Sequence, residues 1–295
     1  MSQGASSLVI RERARAKVNL TLHVLGRRPD GYHELRSLIA FADIADELTL
    51  DPAGAAGLTL EGPFAEAVDG ENLILKAKRT VAGWLGRELD GGFRLQKRIP
   101  VAAGLGGGSS DAAAAIRALL RAYGADESVE NFITKSAIMG ADVPVCLYNK
   151  AALVAGIGER ISPAPHLGTL PAVLVNPGIK VPTAEVFGRL NAPPYSGDGE
   201  GKDNAPDDSF ASLEEVALAL KDGRNDLEPA AIALEPAIAE VLDALRNRRG
   251  CVLARLSGSG PTCFGLFPSP EIASAAADEI KTLRPNWWVA ATALS

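Results

Sequence analysis

The stretch "PVAAGLGGGSSDAAAA", residues 100–115, decides how the rest of the chain is read. Four of the five positions from Gly104 to Gly108 are glycine, and an alanine-rich run follows at once. "GFRLQKRIPVA" leads in with strand character, and a helix is expected from about Ser110 to Tyr123, stopping at Gly124. A helix N-terminus presents backbone N–H groups without intrahelical acceptors and carries about half a unit of positive charge. Glycines let the preceding loop take positive φ and let an anion touch the backbone. Ser109 or Ser110 is expected to cap the helix, leaving a hydroxyl to meet phosphate or a metal. Strand, glycine loop and helix together make a cradle suited to a di- or triphosphate. The alternative is a glycine-lined turn with no ligand, but glycine this dense ahead of a helix is entropically costly.

Two common cradles are excluded. The Walker pattern needs a lysine after its last glycine, and Ser109 follows Gly108 directly. The dinucleotide fingerprint G-x-G-x-x-G puts Ser109 at the last glycine position when read from Gly104, and Asp111 there when read from Gly106.

Outward from the loop, the N-terminal third reads mainly as strands. "LVIRERARAKVNLTLHVLG" alternates apolar and polar residues, "RRPDGYH" interrupts it as a turn, and "ELRSLIAFADIADELTLD" and "GLTLEG" continue the strand pattern. "NLILKAKRTVAGWLG" spaces Leu73, Ala77 and Val81 as an amphipathic helix closing at Gly86. "SVENFITKSAIM" reads as one helix ended by Gly140. The proline- and glycine-rich stretch "ALVAGIGERISPAPHLGTLPAV" is taken as a domain boundary near residue 165. Beyond it come the strand "AVLVNPG", the short helix "TAEVFGRL", a polar excursion "NAPPYSGDGEGKDNAPDDS", and helices at "LEEVALALKDG" and "LEPAIAEVLDALRNRRG". "CVLARLSGSGPTCFGLF" reads as strand, glycine turn, strand, followed by the helix "PEIASAAADEIKTLR" and a last strand "WWVAATAL". The mixture lacks a strict strand–helix beat and argues an α+β fold in two domains, 1–164 and 165–295.

Composition agrees with a globular protein that handles small molecules. The chain has 295 residues, of which 47% are apolar, enough for a core and two domains. The formal net charge is -6, so attraction to nucleic acid or an anionic membrane is not expected, and a polyanion must be held by a local device. No basic stripe with interleaved aromatics argues for RNA. No apolar run reaches the ~18 residues of a membrane span, and "MSQGASSLVI" is not a signal peptide pattern. Cys146, Cys251 and Cys263 are scattered and odd in number, which suggests reduced, buried thiols in the cytoplasm. No cysteine or histidine spacing suggests zinc, and no metal ligands are assigned.

The loop resembles the central motif of the GHMP kinases, the family of galactokinase, homoserine kinase, mevalonate kinase and phosphomevalonate kinase. "ARAKVNLTLHVLGRRPDGYHEL" is similar to the family's first motif and "RLSGSGPTCFGLF" to its last, in the same order, so the resemblance spans nearly the whole chain. It implies a two-domain α+β kinase with an active-site cleft between the domains. The N-terminal half would be similar to the second domain of a ribosomal protein and would bind ATP. The C-terminal half would be ferredoxin-like and would face the substrate. The form "AKVNLTLHVLGRRPDGYHEL", with "GADVPVCL", resembles one branch of the family. Its members phosphorylate a hydroxyl of a methylerythritol unit linked to cytidine diphosphate, on the non-mevalonate route to isoprenoids.

Carried over residue by residue, the resemblance places ATP along Pro100, Val101, Ala102, Ala103, Gly104, Leu105, Gly106, Gly107, Gly108, Ser109 and Ser110, with Mg2+ arriving on the phosphates. It places the catalytic pair at Lys17 and Asp142. The chemistry suits those types: a carboxylate near the proton helps a poor alcohol nucleophile, and an ammonium orients the hydroxyl and offsets phosphoryl charge. It places Tyr32, His33 and Phe187 at the cytosine, and Asn19 and Thr183 at the substrate's polar atoms. Aromatic faces stack on a flat base while hydrogen bonds read its edge. Taken alone, each has a plainer reading. Lys17 would stand on a solvated face beside Arg11, Arg13 and Arg15, Asp142 would be a helix cap, and Phe187 would pack in the core. "SGSGPT", Ser257 to Thr262, reads equally as a hairpin turn or as further N–H groups near the phosphates. Asp43, Asp46 and Glu47 are read as a solvated strand edge and not as a metal cluster.

Overall fold

The computed structural model describes residues 8–124, 128–197, 213–221 and 223–295. In chain order it begins with β1 (Ile10–Asn19), β2 (His23–Arg27), β3 (His33–Asp51), β4 (Gly57–Glu61), α1 (Leu73–Leu85), β5 (Gly92–Gln96) and α2 (Gly107–Tyr123). There follow α3 (Glu130–Ile133), α4 (Val143–Tyr148), β6 (Ala152–Gly156), β7 (Arg160–Pro163), β8 (Leu170–Asn176) and α5 (Thr183–Arg189). The last are α6 (Leu213–Lys221), α7 (Glu228–Leu234), α8 (Ala237–Arg246), β9 (Leu253–Leu256), β10 (Cys263–Leu266), α9 (Pro270–Leu283) and β11 (Trp288–Leu294). Strands and helices mix as an α+β chain must. Among the described residues no helix is long and apolar enough to cross a membrane. Most of the polar excursion expected over 191–209 lies outside the described residues.

The chain forms two compact units, each built from separate stretches. The first comprises Met1–Ala16, Ile44–Val101 and Gly106–Asn149. Its strands are the N-terminal part of β1, the C-terminal part of β3, antiparallel to β5 from Glu47↔Gln96 to Asp51↔Gly92, β5 itself, and β4, parallel to β5. Helix α1 starts where the Asn72 side chain accepts from the N–H of Ile74 and ends at Gly86, whose left-handed backbone (φ 64°) closes the last turn. Its buried stripe is Ile74, Ala77 and Val81. Helix α2 packs on both α1 and α4. Its run of Ala112, Ala113, Ala114 and Ala115 is wholly buried, because small side chains let the flanking helices approach closely. The single helix expected over "SVENFITKSAIM" is in fact the short α3 and a 3-10 run from Thr134 to Met139, in a different register.

The second unit comprises Lys17–Asp43, Ala102–Leu105 and Lys150–Ser295. Here the N-terminal part of β3 pairs antiparallel with β2 and with β6, and β6 with β7. The strands β11, β8, β10 and β9 pair antiparallel in that order, and Leu294 of β11 opposes Ala42 of β3. All seven residues of β8 are buried, which is why "LPAVLVN" is a continuous apolar run. Leu227, Ile238, Val241, Leu242 and Leu245 from the helices join Val173, Val175, Leu256 and Phe267 in this unit's core. The stretch read as a domain boundary carries the β6–β7 hairpin, turning at Ile157–Glu159, and lies wholly within the second unit.

Candidate active site

Helix α2 starts at Gly107, three residues earlier than expected, and neither serine caps it. The N-cap is Gly106, left-handed at φ 63°, and no side chain makes a capping hydrogen bond there. The first intrahelical bond runs from the Ser110 N–H to the Gly106 carbonyl at 2.8 Å. The N–H groups of Gly107, Gly108 and Ser109 therefore have no acceptor within the helix. Ser110 is buried, and its Oγ donates to the Arg15 carbonyl at 2.7 Å with Cys146 Sγ at 3.3 Å. Its hydroxyl is spent on fixing the helix, and Ser109 keeps the only hydroxyl of the pair that is half-exposed. A seventeen-residue helix whose N-terminal N–H groups meet no capping side chain leaves them open to an anion more than a serine-capped one does.

The inbound half of the loop belongs to the second unit. Ala102 and Gly104 both have positive φ, 53° and 73°. A Cβ on Gly104 would fall 2.7 Å from the carbonyl oxygens of Ser257 and Gly260, so this glycine serves a close backbone approach. Ser257 Oγ donates to the Gly104 carbonyl at 3.1 Å, and the Thr262 N–H donates to the Ala103 carbonyl at 3.2 Å. The Lys17 N–H donates to the Leu105 carbonyl at 2.9 Å, and the Asn19 N–H donates to Ser257 Oγ at 3.2 Å. The "SGSGPT" segment is thus a turn between β9 and β10 that is also stitched to the glycine loop and to the end of β1.

Lys17 is buried, contrary to a solvated strand face. Asn19 is buried beside it on the chain; its Nδ2 donates to Ser37 Oγ at 2.7 Å, and Ser37 Oγ donates to the Thr21 carbonyl at 2.6 Å. The Asn19 Oδ1 has no partner although it is buried. It faces Gly258, at 3.4 Å from where a Cβ would stand. An orphaned buried acceptor costs free energy unless a donor arrives.

Asp142 occupies the N-cap position of α4 (φ -85°, ψ -11°), but its side chain makes no capping hydrogen bond. The cap reading accounts for its place and not for its carboxylate. Its carbonyl accepts from the Cys146 N–H at 3.1 Å, and Cys146 in turn touches Ser110 on the first turn of α2.

In the β2–β3 turn, Asp30 Oδ1 accepts from the Tyr32 N–H at 3.0 Å, and Gly31 takes φ 88°. Tyr32 is 60% exposed, presenting its ring to solvent. His33 and Phe187 lie together, ring centroids 4.9 Å apart and planes 30° from parallel. Burial, with help from Arg27, holds the His33 imidazole below its ordinary pKa of 6.5. Phe187 packs against the second unit's core while its other side meets His33. Thr183, exposed at the start of α5, shares a 2.8 Å hydrogen bond with Ser259 Oγ. The structure therefore joins His33 to Phe187 and Thr183 to the 257–262 turn, and leaves Tyr32 at the rim.

One ionic cluster was missed. Asp43 and Glu47 are exposed, and Glu47 pairs with Arg98 at 3.0 Å, but Asp46 is fully buried. The solvated-edge reading of Asp46 fails because its partner is a buried lysine. Lys97 Nζ sits 2.5 Å from Asp46 Oδ2 and 2.6 Å from Asp111 Oδ2. Asp46 Oδ1 also accepts from the N–H groups of Arg98 (2.5 Å) and Ile99 (2.8 Å). Burial alone would lower the Lys97 pKa; Asp111 and Asp46 outweigh it, and the net shift is upward. Burial, reinforced by Asp46 and opposed by Lys97, pushes the Asp111 carboxyl up to about 7. A lysine three residues ahead of the loop was the one available signal. Among the described residues no group of three His, Cys, Asp or Glu side chains could hold a metal.

Comparison with known proteins bears on the whole chain. Residues 72–150 match the GHMP kinases N terminal domain and residues 209–285 match the GHMP kinases C terminal region. A 4-diphosphocytidyl-2-C-methyl-D-erythritol kinase of Rhodopseudomonas palustris is 48% identical over 98% of this chain and 99% of its own length. One of Dinoroseobacter shibae is 50% identical over 95% of this chain and 93% of its own. A crystal structure of a 4-(cytidine 5'-diphospho)-2C-methyl-D-erythritol kinase superposes with a TM-score of 0.76 at 36% identity, covering 97% of this chain and 99% of that one. The homoserine kinase of Cytophaga hutchinsonii, at 19% identity and TM-score 0.68, covers 100% of this chain and 96% of its own and shares the fold.

Proposed function

The chain belongs to the GHMP kinases and, within them, to the 4-diphosphocytidyl-2-C-methyl-D-erythritol kinases, and from that premise we propose how its residues divide the work. The protein is an ATP-dependent small-molecule kinase. It moves the γ-phosphoryl of ATP to a hydroxyl of 4-diphosphocytidyl-2-C-methyl-D-erythritol, giving the 2-phosphate, in the non-mevalonate isoprenoid pathway. On the family pattern, a ribosomal-protein-like part carries ATP, and a ferredoxin-like part supplies the substrate side. Free, mostly buried thiols suit a cytoplasmic enzyme.

The triphosphate of ATP lies along Pro100–Ser110, its oxygens accepting from the N–H groups of Gly107, Gly108 and Ser109. The observation that carries this placement is the N-terminus of α2 that no side chain caps. Asp142 takes the proton of the acceptor hydroxyl as its oxygen bonds to the γ-phosphorus and the bridging bond to the β-phosphate breaks, releasing ADP. Lys17 orients that hydroxyl and offsets charge on the transferring phosphoryl. Asn19 Oδ1 supports a substrate contact because it is a buried acceptor awaiting a donor. Phe187 forms one wall for the cytosine, Tyr32 folds in from the rim as the other, and the neutral His33 imidazole beside Phe187 reads the base edge. Thr183 contributes its hydroxyl beside Ser259.

Mg2+ would come bound to ATP and neutralise phosphate charge. The donor set fits an ion held mainly by phosphate oxygens and water: Ser110 is committed to Arg15, and the remaining candidate side chains are Ser109 and Asp142. The test is an acceptor panel. With ATP and Mg2+, ADP release should depend on added 4-diphosphocytidyl-2-C-methyl-D-erythritol and not on homoserine, mevalonate or phosphomevalonate. Release driven by one of those alcohols instead would overturn the acceptor assignment.

A further inference from the structure

The three buried charges beneath the glycine loop have no role in the reaction as derived above. Lys97 is 3% exposed, Asp46 0% and Asp111 5%. Taking ions out of water costs several kcal/mol each, and apolar residues of similar volume often serve stability as well. Stability alone is therefore a poor account of the cluster. Its geometry gives a better one.

The side-chain hydrogen bonds of the cluster reach both ends of the loop. At the inbound end, Asp46 Oδ1 holds the N–H groups of Arg98 and Ile99, the two residues before Pro100. At the outbound end, Lys97 Nζ holds Asp111 on the second turn of α2 at 2.6 Å. The same ammonium stands under Gly107, 3.3 Å from where a Cβ would be. One lysine thus closes a loop of chain from residue 97 to residue 111, its ammonium shared between Asp46, which holds the inbound end, and Asp111 at the outbound end. Asp111 Oδ1 stays buried without a partner, and the carboxyl's hydrogen bond to Lys97 is made by Oδ2.

We propose that Lys97, clamped between Asp46 and Asp111, is a positioning residue that presets the loop's backbone N–H groups for the triphosphate of ATP. The inference rests on the ATP placement made above. A preset loop pays no ordering entropy when the nucleotide binds, so the cluster sets affinity for ATP and leaves affinity for the alcohol alone.

Asp111→Ala breaks the outbound tie. Asp111→Asn keeps a side-chain oxygen for Lys97 Nζ and is the conservative rescue. The probes are ADP binding by calorimetry, the KM for ATP, the KM for 4-diphosphocytidyl-2-C-methyl-D-erythritol, and the thermal midpoint of each protein. Asp111→Ala should weaken ADP binding and raise the ATP KM by about tenfold or more, with the alcohol KM within about twofold. Asp111→Asn should stay within about threefold of the starting protein on both nucleotide measures. A lowered midpoint with unchanged ADP affinity in Asp111→Ala would reduce the cluster to a structural role. If Asp111→Ala does not fold, Asp111→Ser takes its place, and a tenfold ATP defect in Asp111→Asn then overturns the clamp outright. Failure of the unaltered protein to bind ADP would sink the ATP placement itself, which no result with the variants alone can do.

Discussion

Three aspartates of the first unit show how surroundings assign work to one residue type. Asp46 is wholly enclosed by donors: the N–H groups of Arg98 and Ile99 and the Lys97 ammonium. Asp142 stands at the head of α4 without capping it. Asp142→Asn keeps the shape and removes the base, so kcat should fall by ~10² or more while ADP binding holds; turnover at the original rate would remove Asp142 from proton transfer. Asp111 is the buried acid whose pKa stands at about 7 against an ordinary 3.8. A raised carboxyl pKa means that the folded chain keeps a proton the unfolded chain has lost, so stability drains away as pH climbs from about 4 to about 7. Asn at 111 cannot titrate. Chemical denaturation across that range should therefore show the unaltered protein losing stability relative to Asp111→Asn as pH rises, and a flat difference would mean that Asp111 ionises like an exposed acid. At this scale the sequence was legible where a motif named the residue. Lys17, Asn19 and Asp142 came from pattern, and their burial or odd capping came only from the fold. Asp46 was misread because its partner lies 51 residues away and an alternating strand carries no mark of it.

At the scale of elements, the glycine loop was legible in kind and shifted in detail. A strand, a permissive loop and an alanine-rich helix were all foreseen, but α2 begins at Gly107 because Gly107 and Gly108 form its first turn. The usual reasoning seeks a serine cap, and here left-handed Gly106 closes the helix while Ser110 turns inward to Arg15. The four glycines therefore do different jobs, and alanine scanning should separate them. Gly104 has positive φ and backbone oxygens 2.7 Å from any Cβ. Gly104→Ala should cost about 2 kcal/mol or more of stability, from strain and the collision together. Gly108 is exposed and helical, with only Leu73 Cδ1 at 3.7 Å from a Cβ. Gly108→Ala should hold or gain stability, by roughly 0.5–1 kcal/mol. The N–H of residue 108 is one of those placed on the triphosphate, so a side chain added there should raise the ATP KM. Denaturant midpoints and ATP titrations on both variants check the pair, and a Gly108→Ala protein with unchanged ATP KM would move the phosphates off this turn. The split of "SVENFITKSAIM" into α3 and a 3-10 run has no counterpart in its apolar spacing; in the fold Phe132 of α3 packs on Trp84, ring centroids 4.9 Å apart.

At the scale of the molecule, composition foretold a two-part α+β chain but not how the parts are made. The chain passes between the two compact units at residues 16–17, 43–44, 101–102, 105–106 and 149–150. A proline-rich stretch looks like a linker from sequence alone, because composition reports local stiffness and not which distant strand a segment pairs with. The second unit depends on residues far upstream of 165. Leu22 lies in its core, with Val24 and Leu35 packed against it. The Arg255 guanidinium donates to the Leu20 carbonyl at 2.6 Å and to Leu220 at 2.9 Å, and the Leu22 N–H donates to the Arg224 carbonyl at 2.8 Å. At the C-terminus, Ser295 and Phe41 exchange backbone hydrogen bonds of 2.9 and 3.0 Å. A fragment of residues 165–295 would keep the apolar faces of β8, α7 and α8 and lose the strands that complete them. Such a fragment should not fold alone: its far-UV dichroism should show no cooperative melt, and its amide spectrum should lack dispersion. The full chain should melt in one transition, with dichroism coincident with the fluorescence of Trp84 in the first unit and of Trp287 and Trp288 in the second. A fragment that melts cooperatively on its own would show that the interleaving is dispensable and that the division near 165 is a true folding boundary.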